Sequence, residues 1–76
     1  MSFRIVYKSA TLHHGRWHSK IAYIVQVKDV EKPCILESFC GYTTRDEAIE
    51  HMPELEADLL DLMHGVANVI NVESEE

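Results

Sequence analysis

Lys20-Ile21-Ala22-Tyr23-Ile24-Val25-Gln26-Val27-Lys28 is the stretch whose reading decides the fold. Ile21, Tyr23, Val25 and Val27 fall on one side of an extended chain, and Lys20, Ala22, Ile24, Gln26 and Lys28 on the other. That two-residue period belongs to a half-buried strand. Upstream, Phe3, Ile5 and Tyr7 alternate with Arg4, Val6 and Lys8 in the same way. The segment between, His13-His14-Gly15-Arg16-Trp17-His18, reads as a hairpin loop, with Gly15 free to take the positive φ such loops need.

The pairing register follows from burial. A two-residue turn at Gly15-Arg16 sets Tyr7 opposite Ile24 and mixes core and charged residues on both faces. A three-residue loop, Gly15 to Trp17, sets Tyr7 opposite Val25, Ile5 opposite Val27 and Ser9 opposite Tyr23. Because a slip of one residue moves every side chain across the sheet, the three-residue loop with a bulge at Gly15 is expected. It gathers Arg4, Lys8, Lys20, Lys28, His14 and His18 on an outer face, with Arg16 and Trp17 at the loop. It also sets Arg4 against Lys28, a like-charge pair that invites an anionic neighbour.

Downstream, Asp29 to Pro33 reads as a turn and Cys34 to Gly41 as a third strand of ambiguous facing. The period then changes. Thr44-Arg45-Asp46-Glu47 fits a capping box, and Ala48, Ile49 and Met52 follow at helical spacing. Pro53 should kink the helix or restart it. Met52, Leu55, Leu59, Leu62 and Met63 form an apolar stripe. Gly65 suits a C-terminal cap, Val66 to Val72 a short last strand, and Glu73 to Glu76 a frayed tail. The expected fold is α+β, β-β-β-α-(β), with one domain over residues 1–72 and a tail at 73–76. The run Gly41 to Ala48 also resembles the strand-to-helix junction of the small antitoxins paired with messenger-RNA-cutting toxins. The Gly- and Pro-rich signature that precedes the junction in that family is missing, and the capping box explains the same residues.

With 76 residues, 46% hydrophobic and only 3 Gly and 2 Pro, the chain has the make-up of one small folded domain rather than a disordered tail. No apolar run approaches the ~20 residues of a membrane span, and Met1-Ser2-Phe3-Arg4 does not read as a signal peptide. A cytoplasmic protein is expected. The net charge of -6 argues against a general nucleic-acid coat. That charge is unevenly placed. Up to Lys32 the bases Arg4, Lys8, Arg16, Lys20, Lys28 and Lys32 outnumber Asp29 and Glu31; beyond it Arg45 alone faces eleven acids.

Candidate chemistry is sparse. His14 and His18, paired across the expected hairpin, are weak metal candidates, because two ligands fall short of a stable site. Cys34 and Cys40, if they share a strand, lie ~20 Å apart, too far for a disulfide. No nucleophile elbow or phosphate-cradling glycine loop is present. No enzymatic activity and no cofactor are expected. Two binding surfaces remain. Glu47, Glu50, Glu54, Asp58 and Asp61 recur every three or four residues on the helix, opposite the leucine stripe. The spacing gives one charge per ~6 Å, a dilute imitation of duplex DNA at one per ~1.7 Å. The outer sheet face offers Arg4, Lys8, Lys20 and Lys28 with Arg16 and Trp17, a layout similar in architecture to small sheet-reading DNA-binding domains. The expected function is non-enzymatic binding of a basic protein partner, as an inhibitor or adaptor of a nucleic-acid-handling complex. Anti-CRISPR proteins and antitoxins are analogies of type. Nucleic-acid binding through the sheet and a structural homodimer are the alternatives.

Overall fold

A computed structural model describes the backbone of residues 1–75 and the side chains of residues 1–65. Three strands, β1 (Ser2–His13), β2 (Arg16–Val27) and β3 (Val30–Glu37), form an antiparallel meander in the order β1-β2-β3. Two helices follow, α1 (Arg45–Glu50) and α2 (Met52–Glu75). The α+β class and the β-β-β-α order are those expected from the hydrophobic periods.

The register differs from the expected one in an instructive way. The β1–β2 turn is the two-residue pair His14-Gly15, both at positive φ (50° and 76°), with His13 opposite Arg16. The bulge lies at Val6 instead of Gly15: Tyr7 pairs with Ala22, and Ile5 with Tyr23. Continued without a bulge, the turn's register would aim Val6 and Arg4 at the core beside Tyr23 and Val25. The inserted residue swaps in Ile5 and Phe3, which pack against it. The parity demanded by burial is therefore met mid-strand. Lys8, opposite Ile21, stays on the inner face.

β3 begins earlier and ends sooner than expected. The β2–β3 turn is Lys28-Asp29, with Lys28 at φ 56°, and Val27 pairs with Val30. Pro33 sits inside β3 opposite Ile24, which an edge strand allows because its outer side needs no donor. The facing left open by the sequence is resolved: Cys34 and Leu36 pack on the core, and Ile35 is exposed.

Thr44 caps α1, its Oγ1 accepting from the Glu47 amide at 3.2 Å, the forward half of the expected capping box. α1 stops at Glu50 and α2 restarts at Met52 with Pro53 in its first turn, where a missing amide costs nothing. The stripe Met52, Leu55, Leu59 and Met63 is buried against Ile21 and Tyr23, while Leu62 is exposed. The expected last strand is overturned: residues 66–72 continue α2, and Gly65 lies within the helix. A short apolar run fits either period, and extending an existing helix needs no new nucleus. Side chains of the expected tail, and Glu76 altogether, lie outside the described residues.

Candidate acidic and aromatic binding surface

The acidic residues lie on two helices separated in the chain by one residue. His51 links them, its amide donating to the Glu47 carbonyl and its carbonyl accepting from the Glu54 amide, both at 3.1 Å. Glu47, Glu50, Glu54, Asp58 and Asp61 are all exposed. Among the described residues, Glu54 alone of the five is in an ion-pair contact, with His51 Nδ1 at 3.3 Å. None of the five meets a lysine or arginine within 4 Å among those residues.

The basic sheet face is not assembled as expected. Lys8 points to the helix side and meets Glu56 at 3.6 Å. Arg4 pairs with Ile24, not Lys28, and its Nη1 lies 3.3 Å from Glu31 Oε1. Lys20 stands opposite Glu37. Lys28 occupies the turn. The like-charge pair inferred from the three-residue loop does not exist, because the turn at His14-Gly15 moves the pairing by three residues and the bulge at Val6 by one more. What the outer face carries instead is an apolar band: Tyr7, Ala22 and Ile35 in register, beside Ile24 and Pro33.

Arg16 and Trp17 anchor the loop that follows β3. Trp17 and Tyr42 exchange both backbone hydrogen bonds, at 2.8 and 2.6 Å, so the chain rejoins β2 after leaving β3. The loop between closes against Arg16: a Cβ on Gly41 would lie 2.5 Å from the Arg16 Cβ. Ser19, fully buried, receives the same loop. Its amide donates to Ser38 Oγ at 2.9 Å, its carbonyl accepts from the Ser38 amide at 2.8 Å, and its hydroxyl donates to the Ala48 carbonyl of α1. His18 Nδ1, 3.0 Å from the Ser38 carbonyl, carries its proton there to make that bond.

Those ties shape a cleft of about 280 Å³ between the loop and the helix junction. Leu36 and Leu55 contribute to its lining, with Glu54 and Asp58 on the helix side. The Tyr42 and His51 rings stack at 4.6 Å, 5° from parallel. Phe39 stands at the lip, fully exposed. Burial raises the Tyr42 phenol above its ordinary range, and the Glu54 carboxylate adds to the shift. Sequence reading missed Phe39, Tyr42 and His51. They share no period, and Tyr42 meets His51 through the fold, in the loop that the Trp17–Tyr42 bridge ties to β2.

The histidine hairpin does not form the expected pair. His14 lies in the turn and His18 pairs with Thr11, while the His13 ring packs against His14 at 4.2 Å and His18 at 6.1 Å. Among the described residues, no group of three or more His, Cys, Asp or Glu converges as metal ligands would. Cys34 and Cys40 are both free; Cys34 is half-buried, whereas Cys40 lies beyond β3, outside the strand expected to include it, and is exposed. No described helix is long and apolar enough to cross a membrane. No family model, curated protein or solved structure matches the chain.

Proposed function

We propose that this chain is a non-enzymatic, cytoplasmic protein-binding module that presents the outer face of α1 and α2 to a basic protein. An inhibitor or adaptor of a nucleic-acid-handling complex is the role that fits such a surface, since those complexes carry basic channels. One observation carries the reading. Five carboxylates stand exposed along the two consecutive helices, and no lysine or arginine of the described residues pairs with them. A fixed, single-sign surface steers and orients an oppositely charged partner. The rival nucleic-acid reading is weakened by the same contacts, because Glu31, Glu56 and Glu37 stand against Arg4, Lys8 and Lys20.

The test is affinity capture from nuclease-treated native-host lysate, with mass spectrometry of the retained proteins. A basic protein held by the wild type and lost with Glu50→Lys plus Asp61→Lys is the expected result. Unchanged retention by that variant, or capture that disappears with nuclease alone, would contradict the proposal.

A further inference from the structure

We infer that the cleft between residues 36–42 and the α1–α2 junction takes one arginine side chain of the partner, between the Tyr42–His51 stack and the Glu54 and Asp58 carboxylates. The inference rests on the reading of the helix face as the partner contact, and it names the anchor of that contact.

Size comes first. Ligand pockets for drug-sized molecules run from ~300 to 1,000 Å³. A cleft of about 280 Å³ lies at the lower edge of that range and has room for one long side chain. Chemistry narrows the occupant. The lining combines apolar Leu36 and Leu55, the aromatic rings of Phe39, Tyr42 and His51, and the carboxylates of Glu37, Glu54 and Asp58, with no lysine or arginine in it. An anion would meet like charge there, and a purely apolar group would strip water from the carboxylates without replacing it. A cation with an apolar stem satisfies both parts: the stem covers the leucines and the head reaches the acids.

Guanidinium fits better than ammonium. It is planar, so it can lie flat on the free face of an aromatic ring such as Tyr42. Its fork can also bond a carboxylate bidentately, which a point charge cannot. Position supports the same choice. Glu54 and Asp58 belong both to the cleft and to the acidic face, so an arginine seated here sits within the wider charged contact. Buried arginines in such surroundings commonly dominate an interface.

The experiment uses the full chain and small probes. N-acetyl-arginine amide, N-acetyl-lysine amide and the neutral isostere N-acetyl-citrulline amide are titrated while amide chemical shifts are followed by NMR. Arginine amide should give saturable shifts centred on Phe39, Tyr42, His51 and Leu55, stronger than the lysine probe, with citrulline nearly silent. Glu54→Gln with Asp58→Asn, two exposed substitutions, should weaken the response at least several-fold. Equal shifts from citrulline or lysine, or unsaturable shifts spread evenly over Glu47, Glu50 and Asp61, would overturn the inference. The two proposals fail separately. Glu50→Lys with Asp61→Lys lies outside the cleft and should leave arginine-amide binding in place. Loss of partner capture in that variant without any arginine response would leave the acidic-face reading standing and remove the cleft.

Discussion

Gly41 shows how a single missing methyl group positions a surface. Its backbone passes so close to Arg16 that an added Cβ would sit 2.5 Å from the Arg16 Cβ, and two backbone hydrogen bonds between Trp17 and Tyr42 follow directly after it. Gly41→Ala should therefore lower stability by about 1–3 kcal/mol through overpacking, read as a lower denaturation midpoint by fluorescence of Trp17, the chain's single tryptophan. An unchanged midpoint would show that the loop yields without cost. A second residue ties the core to pH. Burial raises the Tyr23 phenol above its ordinary value, with the Cys34 thiol adding to the shift. The folded state thus holds the phenol proton more tightly than the unfolded chain does. Its contribution is complete below the unfolded value of ~10 and is lost as pH rises through the higher folded value. Denaturation midpoints should fall above about pH 10, and Tyr23→Phe should fall less steeply; parallel pH profiles would contradict this.

At the scale of elements, α2 carries the sharpest prediction. Gly65 lies inside a 24-residue helix, and a Cβ there would meet nothing within 4 Å. Gly65→Ala should raise helicity and add about 1 kcal/mol, the helix-propensity difference. If Gly65 were the cap of a shorter helix, as its sequence context suggests, alanine would instead lower stability, and thermal melts by circular dichroism distinguish the two. The same contrast marks what the sequence made legible. Strong periods were readable: the β2 alternation specifies a strand, and the Thr44 cap and the Met52-to-Met63 stripe specify helix, with the break at Pro53 left open between a kink and a restart. Short or interrupted signals were not. Pro33 reads as a turn, yet an edge strand accommodates it, and Val66 to Val72 fits either period. The Val6 bulge was unreadable as well. Burial dictated the parity of the hairpin but not which residue would supply the insertion.

For the whole molecule, charge separation turns out to be one-sided. Glu47, Glu50, Glu54, Asp58 and Asp61 stay exposed on the helices, but the sheet half does not keep its bases apart: Arg4 meets Glu31, Lys8 meets Glu56, and Lys20 faces Glu37. Composition reveals the imbalance along the chain, whereas the pairing that cancels part of it depends on strand register, which composition does not carry. The candidate site divides in the same manner. Its carboxylates were visible as a helical spacing; its aromatic cleft was not, because that forms only where the β3–α1 loop closes against β2. The most direct measurement compares retention of the captured partner by three proteins over a salt series: the wild type, Glu50→Lys with Asp61→Lys, and Arg4→Glu with Lys20→Glu. The account predicts a loss of about 10- to 100-fold in affinity for the helix variant, steeper at low salt, and little change for the sheet variant. The reverse ranking, with the sheet variant losing the partner and the helix variant keeping it, would contradict it.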